Sequence, residues 1–461
     1  MTKITCHKCR KMFKTKKLYL QHLNVNCTCA KNEKLSPKEL EKKKNKLTIV
    51  ETFVGCGGSH IGFEREQFET IFVNDIWETA LKTLQINNGK LKKEQVICED
   101  INVLCERDLL SQFKMKPNEL DVLIGGVVCK GFSLAGVRNP YDNRNYLYIS
   151  QLKLVEQFRP KISIIENVPG MKNMKILCKN NYAPTSNKLK FTISDSIESI
   201  CKDINENIEK HKKNRGAIIA INKKIGCESS EELLKCKESL INEKSKLEKE
   251  RKLLEEKLSN YMYCVLDDIK EKYKELGYKV SINKLKVSNY GGYTNRIRLI
   301  IVAVRNDIEK EWVWPKLMNC DNDESLPNLK TVSDAFSLLD DKVNDPSTDI
   351  DNRPMKHRPS TIEKFKKITC EKKSEGFSSR GTSNRLSLYK PAPTLVPGHS
   401  SFQIHPTEHR SITVREGAII SGFPIDYKFM GSHSDRCMQI GNAIPVQLGE
   451  ILAKCARKVL E

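Results

Sequence analysis

TIVETFVGCGGSHIGFE, from Thr48 to Glu64, begins as an apolar, β-branched run, breaks on Gly55, Gly57 and Gly58, and then takes up helical spacing. Strand, glycine turn, helix is how an open α/β sheet starts, and glycines at the turn let the backbone pass close under a ligand. A second stretch, DVLIGGVVCKGFSLAG from Asp121 to Gly136, repeats the pattern. Its apolar run Val122–Ile124 turns on Gly125 and Gly126 and sets Cys129 at the carboxyl edge of the sheet. Free cysteines usually behave as small buried hydrophobes. The place of this thiol beyond a strand end is instead that of a nucleophile.

Working outward, TIFVND, QVICED and KISIIENV are further short apolar runs ending in polar residues, and ETALKTLQINNG and LYISQLKLVEQF carry helical spacing between them. The alternation predicts an open, mostly parallel, doubly wound α/β sheet with ligands beyond the carboxyl ends of its strands. At 461 residues the chain exceeds the roughly 250–300 residues of a single core, so more than one folding unit is expected. Residues 47–305 read as the main domain, interrupted by a Lys/Glu-rich helical insertion at about 185–260. In that insertion Leu233, Leu240, Leu247 and Leu254 recur every seven residues, while the alternate positions Cys236, Glu243, Glu250 and Lys257 are not apolar. A helical hairpin is therefore expected rather than a two-stranded coiled coil. The irregular residues 306–408, with Trp312 and Trp314, read as a smaller second domain, and 409–461 as a segment returning to the first.

Residues 1–30 stand apart. Cys6 and Cys9 are spaced C-x-x-C, and His22 and Cys27 follow at zinc-finger distances, with Phe13 and Tyr19 as the small core. The segment resembles the two-Cys, two-His finger family with one His changed to Cys, which implies a bound Zn2+. Residues 31–46 form a charged linker. With 79 Lys and Arg against 58 acidic residues the formal charge is +21, which favours a polyanionic partner. Seventeen scattered cysteines and no apolar leader or membrane-length run point to a soluble protein of a reducing, intracellular compartment, cytoplasmic or nuclear.

Taken in chain order, the glycine block at Thr48–Glu64, Cys129 in its loop, ENVPG from Glu166, TNRIR from Thr294 and IGNAIP from Ile440 resemble the DNA cytosine-5 methyltransferase family. The match runs from about Leu47 to Lys454, and it implies that residues 306–408 are a target-recognition domain reading DNA through the major groove. The resemblance implies S-adenosylmethionine as cofactor, held by Phe53, Gly55, Gly57, Gly58, Asp75, Ile76, Asp100, Ile101 and Asn442. It implies duplex DNA as substrate, with the target base flipped out of the helix. Cys129 would add to ring carbon 6, because carbon 5 is not nucleophilic until something does. Glu166, desolvated after an apolar strand, would serve ring nitrogen 3. Arg296 and Arg298, two apart on one strand face, would anchor the cytosine oxygen and phosphates. Asp142, Arg144 and Leu147 match the helix after the nucleophile loop. Arg410, Thr413, Glu416 and Gly422–Pro424 match a late, structural block. A monomer is expected, with a partner endonuclease as a possible companion.

Three positions depart from the family pattern: Val128 and Lys130 flank Cys129 where Pro and Gln are usual, and Thr294 stands where Gln usually opens the arginine block. Two alternatives remain open at this stage. One is a transfer RNA cytosine-5 methyltransferase, although the Cys-Phe-Thr signature of that branch is missing around Cys320, Cys370, Cys437 and Cys455. The other is a catalytically weak DNA-binding protein that keeps the fold.

Overall fold

The structure is a computed structural model that describes residues 4–5, 12–13, 46–127, 142–177, 195–225, 230–369, 384–395 and 402–461. Cys6, Cys9, Tyr19, His22 and Cys27, and Val128, Cys129 and Lys130, lie outside the described residues. The chain divides into two compact units, Met1–Lys46 and Leu47–Glu461. The described part of the first is an antiparallel pair, β1 (Ile4–Thr5) and β2 (Met12–Phe13), with Ile4 opposite Phe13.

The second unit starts β3 (Thr48–Thr52), α1 (Gly58–Arg65), β4 (Glu69–Asp75), α2 (Glu78–Asn87), β5 (Val96–Cys98) and β6 (Val122–Gly125). It continues α3 (Leu147–Phe158), β7 (Ile162–Asn167), β8 (Lys175–Leu177), α4 (Asp195–Ile225), α5 (Glu231–Lys257), β9 (Met262–Cys264), α6 (Val265–Glu275), β10 (Tyr278–Lys286) and β11 (Ile297–Arg305). Its last helices are α7 (Val414–Ile420), α8 (His433–Asn442) and α9 (Val446–Leu460). Seven strands form one sheet in the order β10-β11-β7-β6-β3-β4-β5. The five from β3 to β7 are parallel, whereas β11 and β10 add antiparallel at one edge. The chain winds from β3 outward to β5 and then returns to β6 on the other side of β3. The β3/β6 junction is thus the switch point, where a crevice opens beyond the strand ends.

Alternation along the strands explains the two cores. Val50, Leu123, Ile165 and Ile301 face Tyr148, Leu152 and Val155 of α3 and Ile269 and Tyr273 of α6. Their neighbours Ile49, Val122, Ile124, Ile164 and Ile300 face Phe63 of α1 and Leu448, Leu452 and Ala456 of α9. Both faces are buried, as a parallel sheet requires. α1 and α9 approach through glycine: a Cβ on Gly62 would lie 2.3 Å from the Glu450 nitrogen, and one on Gly449 2.8 Å from the Ser59 Cα.

The insertion is a pair of long helices, α4 and α5, rooted in the antiparallel ribbon of β8 and β9. Asn207 Nδ2 donates to the Leu247 carbonyl and Asn214 Nδ2 to the Leu240 carbonyl, so the helices run antiparallel. Their seam pairs Leu233, Leu240 and Leu247 with the half-buried Lys237, Lys244 and Arg251, four residues on rather than three.

The region from 306 to 408 has little regular structure among its described residues. Trp312 packs with Leu285 and Val302 of the sheet, and Trp314 Nε1 donates to Ser281 Oγ on β10, so both tryptophans pack on the sheet. Arg385 holds the irregular part together by donating to the carbonyls of Phe365, Ile368, His405 and Glu408. Arg415, 2% exposed, pairs with Asp349 at 2.8 Å, and Arg436 pairs with Asp351 at 2.8 Å. Among the described residues no helix is long and apolar enough to cross a membrane.

Candidate active site

The loop after β3 is held in an unusual backbone. Phe53 (φ 52°), Gly55 (φ 56°) and Gly57 (φ 91°) are all left-handed. A left-handed Phe is uncommon and marks a loop whose surroundings over-determine it. Asp75, at the end of β4, supplies part of that hold: its carboxylate accepts from the Gly55 N–H at 2.8 Å and the Trp77 N–H at 2.9 Å. Burial raises the Asp75 carboxyl above its ordinary range, against the lowering by these backbone donors. From below, Tyr427 Oη donates to the Cys56 carbonyl at 2.6 Å.

The three glycines divide their duties differently from the expectation. A Cβ on Gly55 would meet nothing within 4 Å, so this residue faces open space. One on Gly57 would lie 2.5 Å from Leu84 Cδ1, and one on Gly58 2.0 Å from the Ile444 carbonyl oxygen. Gly57 and Gly58 are small because protein packs against them. Around the open side, Ile76 is 69% exposed, an apolar side chain at a strand end without cover. Asp100 caps the next helical turn by accepting from the Asn102 N–H at 2.8 Å. Ile101 is turned into the core, and Asn442 is exposed at the end of α8. Open space, a bare apolar face and a half-buried carboxylate suit a nucleoside.

On the other side of the switch point, Glu166 lies near the end of β7, opposite Ile300 of β11. Two residues before Ile300, Arg298 turns its guanidinium back so that Nε lies 2.5 Å from Glu166 Oε1. Both side chains are 9% exposed, which makes this a buried pair. Glu166 Oε2 faces Gly126: a Cβ there would sit 3.6 Å from it and 3.7 Å from the Phe53 carbonyl oxygen. The ends of β3, β6 and β7 thus converge on one point. Arg296, just before β11 rather than on the strand, donates to the Gly441 carbonyl at 2.7 Å, tying the start of β11 to the last turn of α8. Arg144 forks onto Asp142 at the start of α3. Arg410 forks onto Glu416, whose side chain also caps α7 with Thr413.

Two residues that the motif reading passed over enter here. Asn167 Nδ2 donates to the Val127 carbonyl at 3.1 Å, pinning the chain two positions before Cys129. Tyr427 supports the Cys56 carbonyl. Neither has a local signal, although the ENV of 166–168 brought Asn167 into view beside Glu166. Thr294, in place of the usual Gln, forms a bridge with Ala392 and donates its hydroxyl to the Pro393 carbonyl at 3.3 Å. Among the described residues, no group of three or more His, Cys, Asp or Glu side chains is placed to hold a metal ion.

A family model described as C-5 cytosine-specific DNA methylase matches residues 47–257 and 251–458. The chain is 25% identical over 456 residues to the type II methyltransferase M.DdeI of Desulfomicrobium norvegicum, covering 88% of each. It is 28% identical over 424 residues to M.Sau96I of Staphylococcus aureus, covering 89% of this chain and 76% of that one. In three dimensions it matches the crystal structure of a DNA modification methyltransferase encoded within an E. coli prophage, with a TM-score of 0.54 and 21% identity, over 90% of this chain and 99% of that one. At that identity the structural likeness speaks for the fold alone.

Proposed function

Because the chain belongs to the C-5 cytosine-specific DNA methylase family, a DNA cytosine-5 methyltransferase using S-adenosylmethionine, we propose how its own residues divide the reaction. S-adenosylmethionine, when bound, supplies an electrophilic methyl group on a sulfonium. Phe53, Gly55, Asp75 and Ile76 hold its nucleoside, with Asp100, Ile101 and Asn442 at the margins, while Gly57 and Gly58 keep the loop in shape. The Cys129 thiolate adds to carbon 6 of a cytosine turned out of the duplex, which makes carbon 5 nucleophilic. Glu166 holds the proton at ring nitrogen 3. Arg298 engages Oε1 and so leaves Oε2, the oxygen facing Gly126, for that task. After the methyl group arrives, loss of the carbon 5 proton expels the thiolate and restores the ring. Asn167 positions the start of the nucleophile loop, and Arg296 positions the Asn442 turn.

The observation that carries this reading is the convergence of Gly126, Glu166 and the Phe53 carbonyl at the β3/β6 switch point. Bisulfite sequencing of plasmid from cells expressing the chain should find 5-methylcytosine within one short motif. The purified protein should form a stable adduct on duplex DNA carrying 5-fluorocytosine there. An unmethylated plasmid without adduct would make it a binding protein, and label entering transfer RNA instead would make RNA the substrate.

Finer points belong to the same proposal. Cys6, Cys9, His22 and Cys27 bind Zn2+, a reading supported by the β1/β2 pair, between whose strands the sequence places Cys6 and Cys9. A monomer acting within the cell beside a partner endonuclease belongs to the same proposal, and the relatives' names as type II methyltransferases are in keeping with a restriction-modification setting. Zinc content of the purified chain, and its loss in a Cys6→Ser variant, test the metal.

A further inference from the structure

The α4/α5 arm takes no part in the chemistry above, yet its root is built into the site. β8 follows the end of β7 after the single turn Pro169–Asn173, and Tyr146 Oη donates to the Leu177 carbonyl at 2.6 Å. Leu177, Ile204, Ile208 and Leu258 close a small apolar cluster there, joined by Leu254 and Met262. The arm therefore leaves the protein at the carboxyl edge that holds Glu166. Helices of 31 and 27 residues give it a length of about 40 Å, somewhat more than one turn of duplex.

Its interior carries two buried asparagines. Asn207 Nδ2 reaches both the Leu247 carbonyl and Glu250 Oε2, and Asn214, seven residues on, repeats this with the Leu240 carbonyl and Glu243 Oε2. Such a ladder fixes the register of the two helices on each other. Outward the arm exposes Ile219, Leu234, Ile241 and Leu253 among many charged side chains, and the charge is unevenly divided. Residues 210–244, the distal half, hold nine Lys and Arg against five Glu, whereas residues 195–209 and 245–257, the proximal half, hold six against nine acidic residues. Lys210, Lys213 and Lys224 are exposed on α4, and their spacings of three and eleven residues put them on one face. They cover about 21 Å of helix axis, a span that passes roughly six phosphates of one DNA strand.

We propose that the distal half of the arm lies along the phosphate backbone of duplex DNA outside the methylated motif, with Lys210, Lys213 and Lys224 as contacts. The arm lengthens the footprint without reading sequence. An acidic base and a basic far end place the attraction away from the active site. This inference rests on duplex DNA being the substrate, and the test separates the two.

The full-length protein and its Lys210→Gln, Lys213→Gln, Lys224→Gln variant are compared on fluorescent 14-bp and 40-bp duplexes sharing one centre, taken from a plasmid segment that the wild type methylates. Methylation of the 14-bp duplex reports on the enzyme itself and should be the same for both proteins. On the 40-bp duplex the variant should bind about tenfold more weakly, and the slope of log K against log salt should be shallower by about 2.7, three phosphates at roughly 0.9 each. On the 14-bp duplex both quantities should be unchanged. Equal loss on both lengths would make these lysines part of the core DNA site. No loss on either would free the arm for some other partner, and either result overturns the proposal.

Discussion

Replacing Tyr427 by Phe removes one hydroxyl and nothing else from the support of the cofactor loop. The phenol is 5% exposed and the Cys56 carbonyl it serves belongs to a fully buried residue, so water cannot take over the bond. A hydrogen bond of this kind is worth about 1 kcal/mol net, and a stranded buried acceptor costs about 1–3 kcal/mol, so we take roughly 1.5 kcal/mol. The loop is already in left-handed conformations at Phe53, Gly55 and Gly57, and it is the element with least reserve against that loss. If the whole loss falls on cofactor binding, the dissociation constant for S-adenosylmethionine rises about tenfold, because each 1.4 kcal/mol is a factor of ten. Turnover at saturating cofactor should stay within about twofold, since Glu166 and Arg298 do not touch the phenol. Burial holds the Tyr427 phenol far above its ordinary titration, so it donates at every working pH and the defect should be flat across pH. Calorimetry of cofactor binding, kcat at saturation and a melting curve form the assay. An unchanged dissociation constant beside a lowered melting temperature would refute the reasoning, because the bond would then hold the fold and not the loop.

Other outcomes follow from the same geometry. Cys129→Ser should abolish methyl transfer while DNA binding stays within a few fold, as gel shifts would show; a tenth of wild-type turnover would remove Cys129 from its role. Glu166→Gln should slow single-turnover methylation by roughly two orders of magnitude with cofactor affinity unchanged, and a selective loss of cofactor binding would place Glu166 in the wrong pocket. Cofactor binding should weaken on acidification above the ordinary carboxylate range, because Asp75 titrates high and its protonated form gives up an acceptor. For stability the sign is opposite: a raised carboxyl pKa favours the folded state most at low pH and loses that contribution as pH rises, so weaker binding there cannot be blamed on unfolding by Asp75. Removing residues 1–30 should leave an active methyltransferase whose DNA affinity falls mainly at low salt, and aggregation of the truncated chain would show that the finger is needed by the rest.

Much of the sheet is legible from local pattern. The apolar runs behind β3, β6 and β7 are short, β-branched and closed by glycine or polar residues, and LYISQLKLVEQF coincides with α3 from Leu147 to Phe158. β10 is less visible, since YKVSINKLK is an edge strand with lysines and mixed exposure along its length. The arm illustrates a different limit. Heptad spacing of leucines marks two helices, but the partners at Lys237, Lys244 and Arg251 are cations whose long stems pack while their charges reach out, and no polarity scale ranks them as seam residues. At the site, residue types at motif spacings single out Glu166, Asp75 and Arg298 as candidates, and the fold brings Glu166 and Arg298 together and sets Asp75 under the loop after β3. Asn167 and Tyr427 act on carbonyls that are remote in sequence or unremarkable in type, and only the folded chain brings the pairs together. The duties of Gly57 and Gly58 are hidden for the same reason: what crowds them is Leu84 and Ile444.

The contact between Tyr427 and Cys56 spans 371 residues of sequence, and Ile444 with the helix that follows it, α9, is the wall against which Gly58 and Gly62 of α1 are pressed. During synthesis, then, the loop after β3 stays without its supports until 371 further residues, Tyr427 among them, have been made. A truncated or stalled product can form strands and even the long arm, yet has no finished loop with which to spend cofactor on DNA. Competence arrives late and all at once. Supplying residues 409–461 as a separate fragment to a chain ending before them should restore it in trans.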